Sequence, residues 1–103
     1  MLLGGDYVTT IADLDDLSVG FSMAQISERY VFACFVRPEY EDQGVGRALM
    51  KAAEEGLLGA GVTSAWLSTG SEQDLRAPGF YRHLGWSADG FLDDGQIRFV
   101  KSL

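Results

Sequence analysis

The sequence has little of the residues that usually carry covalent or metal chemistry. Among its 103 residues there is one cysteine and one histidine. The single cysteine, Cys34, cannot form a disulfide within the chain. It lies in an apolar stretch and far along the sequence from His83, which favours a buried and unreactive thiol. No metal site is expected.

Positive charge is also scarce. Eight Lys and Arg residues stand against fifteen Asp and Glu, for a formal net charge of −7. Proteins that bind nucleic acid in general present a basic face, so this balance argues against that function. The acidity is typical of a soluble surface, and it is also compatible with a cationic amine as substrate.

Long apolar runs are missing as well. No stretch approaches the roughly 20 residues of a membrane span, and the first residues do not have the pattern of a signal peptide. A cytoplasmic protein with no membrane partner is therefore the default expectation. The length and the 47% hydrophobic content predict one globular domain over residues 1–103. Its core would be small, so a homodimer is a reasonable expectation.

The residue pattern predicts an α/β fold with the element order β-β-β-α-β-α-β. Strands are predicted over residues 7–11, 18–26, 30–36, 64–69 and 97–100, and helices from 44 or 45 to about 58 and over 77–84. The first three strands would form an antiparallel meander, and the fourth would lie parallel to the third after a crossover helix. The unbroken apolar run 30–36 predicts a central strand covered on both faces.

The first helix is predicted from its apolar spacing. Residues recurring at helical positions would form one core face: Val45, Ala48, Leu49, Ala52, Ala53, Gly56 and Leu57.

The start of this helix has the features of a phosphate-binding site. A buried strand ends at Val36, a polar loop follows, and Gly44 and Gly46 open the helix. Glycine lets a ligand approach the backbone, and unpaired N–H groups at a helix start attract anions. Arg47 would add positive charge. The Walker P-loop and the dinucleotide fingerprint do not fit, since the latter would need glycine at Leu49.

This segment resembles the acetyl-CoA motif of the GNAT acyltransferase superfamily, written [Gln/Arg]-x-x-Gly-x-[Gly/Ala]. Gly44 and Gly46 match the motif, whereas Glu41 departs from it at the first position. The flanking sequences VRPEY and GRALM are also similar to the family. The resemblance implies that acetyl-CoA is the co-substrate and that its pyrophosphate is held by the loop and helix start, Asp42, Gln43, Gly44, Val45, Gly46 and Arg47.

A second resemblance lies downstream, in the family's pattern Ala-x-x-[Phe/Leu]-Tyr-x-x-x-Gly-[Phe/Trp]. The matching residues are Ala77, Phe80, Tyr81, Gly85 and Trp86. The family often has asparagine seven residues before the tyrosine, where this chain has Asp74. Asp74 and Ala77 are therefore expected to contact the cofactor. The fold that the resemblance implies is a mixed antiparallel and parallel GNAT-like sheet flanked by helices.

The resemblance also implies a mechanism of direct transfer to an amine. Strand 30–36 would splay from strand 64–69, and Cys34, Phe35 and Val36 would line the pantetheine arm through their main chain. Tyr81 would protonate the departing CoA thiolate. The alternative for Tyr81 is a packing aromatic beside Phe80.

The general base and the acceptor stay open at this stage. Some relatives place a glutamate in the strand that corresponds to 66–69, where this chain has no carboxylate. Glu28 and Glu72 are candidates for the base, and His83 is expected at the surface. Polyamines, aminoglycoside-like compounds, amino acids and protein N-termini all remain possible acceptors.

The chain departs from the family pattern at its start. The usual first strand and first two helices, which help to wall the acceptor site, are expected to be missing. Three explanations remain: a minimal active enzyme, an enzyme that borrows a wall from a second subunit, and a non-catalytic CoA binder. A protein-interaction module of the same fold is the alternative of a different class.

Overall fold

The computed structural model describes residues 3–41, 43–69 and 76–103. Six strands and two helices follow one another along the chain: β1 (Tyr7–Leu14), β2 (Leu17–Gln25), β3 (Tyr30–Val36), α1 (Val45–Gly59), β4 (Ser64–Thr69), α2 (Arg76–His83), β5 (Ser87–Phe91) and β6 (Ile97–Ser102). Short 3₁₀ turns at Leu3–Asp6 and Pro38–Tyr40 precede β1 and follow β3. The α/β prediction is confirmed.

All the strands belong to one sheet in the order β1-β2-β3-β4-β6-β5. The first three form the predicted antiparallel meander, and β3 and β4 are the parallel pair. The remaining neighbours, β4 with β6 and β6 with β5, are antiparallel. The parallel pair therefore lies at the centre of the sheet.

The sequence prediction missed β5. Its sequence, SADGF, contains residues that disfavour strands, and all five residues are exposed. Gly90 has a φ of 81°, and the register shifts between Ala88 and Phe91. β5 is thus a short edge strand that exists because β6 offers it hydrogen bonds, and its own residues carry no strand pattern.

Both helices pack on the same face of the sheet. The core contains Met50 and Leu57 of α1 together with Phe99 of β6, and Phe80 and Tyr81 of α2 pack against it. The centre of the buried face of α1 differs from the prediction, because Met50 is wholly buried and Ala48 is exposed. The helix is rotated slightly towards Met50 relative to the predicted stripe.

The expectation that both faces of β3 are covered is wrong. Phe32 and Phe35 are 39% and 51% exposed. Both helices lie on one face, and no helix among the described residues covers the opposite face of the sheet. A continuous apolar run does not distinguish a strand between two layers from a strand whose second layer is absent.

A hydrogen-bonded network joins the end of α2 to α1 and β6. The Glu54 carboxylate accepts hydrogen bonds from Trp86 Nε1 at 3.2 Å and Lys101 Nζ at 2.8 Å. Lys101 Nζ also donates to the Leu84 carbonyl oxygen at 2.7 Å. Because these side chains are largely buried, the network fixes the C-terminal end of α2 against the core.

Within the described ranges, no helix combines the length and the apolar character needed to cross a membrane.

Candidate active site

A cleft opens at the centre of the sheet, where β3 and β4 separate. All residues of β3 and β4 are described, and within these two strands the parallel pairing is limited to Tyr30 opposite Trp66. The rings of these two residues stack at 4.1 Å between centroids and close the narrow end. Beyond them lies a cavity of about 310 Å³, lined by Val31, Phe32, Ala33, Cys34, Phe35, Leu67, Ser68 and Tyr81.

A β-bulge in β3 accounts for the separation. Met23 of β2 faces Ala33, but the next residue, Ala24, faces Val31, so Phe32 is an extra residue in β3. A bulge bends its strand and increases the local twist. The edge of β3 beyond Tyr30 therefore turns away from β4, and its N–H and C=O groups have no ladder partner on β4. These main-chain groups are available to a ligand that lies in the cleft.

Tyr81 enters this cleft from α2. Its ring packs edge-on against Phe80 at 5.2 Å and lies 6.0 Å from the ring of Phe99. Burial, and secondarily the neighbouring Cys34, raise the pKa of Tyr81 to about 12. The phenol therefore holds its proton at neutral pH and is a hydrogen-bond and proton donor. Both expectations for this residue apply at once, since Tyr81 packs against Phe80 and also lines the cleft.

Cys34 lies on the opposite wall and is a neutral thiol. Burial raises its pKa to about 11. A thiolate is the nucleophilic form of cysteine, so a covalent acetyl-cysteine route is disfavoured here. This agrees with the expectation of an unreactive thiol.

The thiol pKa gives a first testable expectation. At a pH below 9, Cys34 should react with Ellman's reagent about 100-fold more slowly than a free thiol of pKa 9.0, because two pKa units separate the thiolate populations. The rate should rise with pH until about pH 11. The denatured chain is the control and should react at the free-thiol rate. Equal rates for the native and denatured chains would contradict the buried neutral thiol.

The start of α1 has the backbone geometry that an anion site needs. Gly44 has a φ of 83°, in the left-handed region that favours glycine, and no heavy atom lies within 4 Å of the position of a Cβ there. The N-cap residue is Gly44, which has no side chain to cap the helix. The first N–H groups of α1 therefore receive no hydrogen bond from the N-cap residue's side chain. Gln43 and Arg47 are exposed beside them.

Gly46 connects this helix start with the cleft. A Cβ at position 46 would lie 3.2 Å from Phe80 Cζ and 3.6 Å from Val36 Cγ2. Val36 ends β3, and Phe80 precedes Tyr81. The close approach of α1 to α2 therefore brings the start of α1 next to both walls of the cleft, and any side chain at position 46 would push Phe80 aside.

The remaining predicted residues are only partly placed by the structure. Val45 is half-buried at the helix start, and Ala77 lies in α2. Asp42 and Asp74 lie outside the described residues, as does Glu72, one of the two candidate bases. The other, Glu28, is exposed, and its carbonyl oxygen accepts a hydrogen bond from Trp66 Nε1 at 3.1 Å.

Sequence reasoning missed five lining residues: Val31, Phe32, Ala33, Leu67 and Ser68. Leu67 and Ser68 lie in a strand that was predicted correctly, and their alternation could have indicated which of them faces the helices. The position of Phe32 depends on the bulge, which has no sequence signal in this chain. His83 is exposed, as expected, and does not line the cleft.

These features define an α/β protein with a splayed parallel strand pair and an uncapped helix start beside it. The sequence model of the Acetyltransferase (GNAT) family matches residues 4–86. The match covers most of the chain, and the chain therefore belongs to the GNAT family of acetyltransferases. Members of this family use acetyl-CoA as co-substrate, so the sequence-based assignment is confirmed at the level of the family.

Solved structures of similar fold are numerous. PaiA N-acetyltransferase from Thermoplasma acidophilum, in complex with coenzyme A, is 21% identical with a TM-score of 0.86 over 95% of this chain and 62% of that protein. The ribosomal-protein-S18-alanine N-acetyltransferase from Escherichia coli is 22% identical with a TM-score of 0.80, over 97% and 71%. An aminoglycoside 6′-N-acetyltransferase complexed with coenzyme A is 20% identical with a TM-score of 0.82, over 96% and 74%.

At these identities the likeness concerns the fold. The chain spans 62% of the length of the PaiA enzyme that it resembles. A search of curated protein sequences finds no match.

Proposed function

We propose that this chain is an acetyl-CoA-dependent N-acetyltransferase that passes an acetyl group directly to the amine of a small molecule or peptide. One observation carries the proposal. A tyrosine that is protonated at neutral pH lies in a cleft between β3 and β4, and this cleft adjoins an uncapped helix start. Membership of the GNAT family supports the same reaction.

The residues of the two regions suit different parts of acetyl-CoA. The N–H groups at the start of α1, with Gly44 and Gly46, would bind the pyrophosphate. Arg47 would add a charge-assisted contact, and the family pattern assigns further contacts to Asp42, Gln43, Val45, Asp74 and Ala77. The main chain of Cys34, Phe35 and Val36 would hold the pantetheine arm, because this edge of β3 is not paired with β4.

The transfer itself needs a donor for the oxyanion and a donor for the sulfur. A neutral amine attacks the thioester carbonyl carbon, a C–N bond forms, and the carbonyl oxygen becomes an oxyanion. A β3 main-chain N–H stabilises this charge in the desolvated cleft. The C–S bond then breaks, Tyr81 donates its proton to the sulfur, and the amine nitrogen releases a proton to water.

The raised pKa values of Tyr81 and Cys34 support this role for Tyr81. A thiol in bulk water has a pKa of about 8.5. A phenol of pKa about 12 would therefore be too weak an acid to protonate a thiolate there. Inside the cleft, however, burial raises a thiol as well, and Cys34 reaches about 11. A CoA sulfur in the same surroundings would be raised similarly, so the proton transfer is close to balanced.

The lining of the cleft supports attack by a neutral amine. Its described lining residues carry no charged side chain. A protonated amine would therefore lose its hydration there without a counter-charge, which favours the uncharged, nucleophilic form. This differs from a cleft lined by carboxylates that would select polycations, and the net charge of −7 resides elsewhere.

Calorimetric titration with acetyl-CoA tests the binding part of the proposal. We expect micromolar affinity, and we expect Arg47→Ala to weaken it about 10-fold through the lost phosphate contact. Lys51→Ala is the matched control, since Lys51 is an exposed cation one turn further along α1 and its removal should leave the affinity unchanged.

Three outcomes would count against the proposal. No binding at millimolar acetyl-CoA would remove the co-substrate. Binding without transfer to any amine, in a screen of polyamines, amino acids and peptide N-termini, would instead favour a CoA-binding module without catalysis. An equal loss of affinity in Arg47→Ala and Lys51→Ala would show that net charge, and not the helix start, governs binding.

A further inference from the structure

The face of the sheet opposite the helices exposes a continuous apolar surface, which we call the open face. Its most exposed members come from three adjacent strands: Tyr7 and Ile11 from β1, Phe21 from β2, and Phe32 and Phe35 from β3. Their exposed fractions are 43%, 61%, 38%, 39% and 51% in that order. Single exposed apolar side chains are ordinary, but a contiguous group of this kind is not.

The strand register shows that these side chains form one patch. Ile11 faces Phe21, and Phe21 faces Phe35 across the neighbouring strand pairs. The rings of Phe21 and Phe35 lie 5.8 Å apart, and those of Tyr7 and Phe32 lie 6.0 Å apart. The patch therefore extends across the whole meander from the free edge of the sheet to the cleft.

Over residues 7–11 of β1 and the residues of β2 and β3 that face them, the outward side chains of the open face are uncharged; Asp13, two residues after Ile11, is an exposed carboxylate at the end of this stretch. The other outward residues between the rings are neutral as well: Thr9, Met23, Gln25, Tyr30 and Ala33. In a chain with 22% charged residues, such a surface would be unusual if it faced solvent alone. An apolar contact is what this composition suits.

We infer that the open face is the contact surface between two copies of this chain. A dimer contact of standard size buries about 800 Å² per partner, of which about two thirds is apolar, so it needs roughly 500 Å² of apolar surface from each copy. The four aromatic side chains have areas of about 150–250 Å² each. At the exposed fractions given above, they and Ile11 supply roughly 400 Å² of apolar surface. The neutral residues between them add the remainder. The patch thus has the size and composition of one half of a symmetric interface.

The charge of the chain restricts where a second copy can meet the first. Two copies of net charge −7 repel each other, and a charge-free contact keeps the acidic groups at its periphery. Phe32 and Phe35 belong both to the open face and to the lining of the cleft. The second copy would therefore cover the side of the cleft that no element of the same chain covers in the described structure.

Sedimentation equilibrium on the full chain tests this inference without any co-substrate. We expect a species of twice the 11.2 kDa chain mass over a wide range of protein concentrations. Ile11→Asp and Phe21→Asp should each weaken the self-association at least about 10-fold, because each places a charge in the centre of an apolar contact. Circular dichroism would verify that both variants are folded, and Ile11, the most exposed of the five, is the safer substitution.

Phe91→Asp is the matched control. Phe91 is 72% exposed but lies in β5, at the opposite edge of the sheet from β1, and its substitution should leave the dimer intact. Phe21 lies in an interior strand, so a dimer formed by pairing of the free β1 edges would survive Phe21→Asp. That survival would overturn the inference.

The salt dependence of self-association distinguishes this apolar interface from one held together by opposite charges. Raising the ionic strength from about 0.01 M to about 0.15 M shortens the Debye length from about 30 Å to about 8 Å and screens the repulsion between the copies. Self-association should therefore tighten with salt. A monomer at every protein concentration, an association that loosens with salt, or equal sensitivity to Phe91→Asp would each overturn the inference.

Discussion

Replacing Tyr81 with phenylalanine should lower kcat for acetyl transfer by about 100-fold and leave the affinity for acetyl-CoA unchanged. The substitution removes only the hydroxyl group. The ring contacts with Phe80 and Phe99 would remain, so α2 and the wall of the cleft should stay in place. The departing sulfur would then have to leave without its proton donor.

The matched control for this substitution is Tyr7→Phe. Tyr7 lies in the edge strand β1 and does not line the cleft, so kcat should not change. An unaltered rate in Tyr81→Phe would remove the residue from the mechanism. A loss confined to KM would assign Tyr81 to binding and not to proton transfer.

The pH profile provides a second readout for the same residue. The pKa of Tyr81 is raised to about 12, so the phenol stays protonated throughout the range in which an amine acceptor loses its proton. The value of kcat/KM should therefore rise with pH and level off, with no descending limb below about pH 10. A fall centred near pH 8 would mean that a different group donates the proton.

Replacing Gly20 with alanine should destabilise the fold by about 3 kcal/mol. A Cβ at this position would lie 2.5 Å from the main-chain carbonyl oxygen of Phe35 and 3.0 Å from Leu49 Cδ1. The first neighbour is backbone and cannot rotate away. The paired strands β2 and β3 would have to separate beside Val36, or α1 would have to move off the sheet. For a domain of this size the melting temperature should fall by more than about 10 °C.

Gly59→Ala is the matched control in this case. Gly59 is the last residue of α1, and no heavy atom lies within 4 Å of its Cβ position. Alanine has the higher helix propensity, so stability should stay the same or rise by up to about 1 kcal/mol. If Gly20→Ala melted like the unmodified chain, the packing of α1 against the β2–β3 pair described here would be wrong.

The sequence predicted several elements well because their patterns reflect local requirements. The bounds of β3 and β4 agree with the prediction, and α1 begins at Val45 as its glycines indicate. An apolar run bounded by Pro38 gives a strand, and helical spacing followed by Gly-Ala-Gly gives a helix with a defined end. Tyr81 was identified from a short motif, and it does line the cleft.

Other features have no local pattern. β5 exists through its pairing with β6, and the bulge at Phe32 is defined only by the register of β3 against β2. The sequence also gave no reason to expect glycine at position 20, whose requirement comes from a carbonyl oxygen fifteen residues further along the chain. The burial of Met50 instead of Ala48 also depends on tertiary packing. The stripe of small and apolar residues on α1 is wide enough to allow more than one orientation of the helix.

The sequence by itself determined the family, the order of most elements and the residues proposed to carry the chemistry, because motifs and apolar periodicity depend on neighbours along the chain. Only the tertiary structure decided which face of the sheet is covered and where β3 leaves β4. It also decided that Gly46 brings the start of α1 against the helix of Tyr81. These properties arise from register and from packing between residues distant in sequence, and the same apolar residues are compatible with a covered or an open face until the helices are placed.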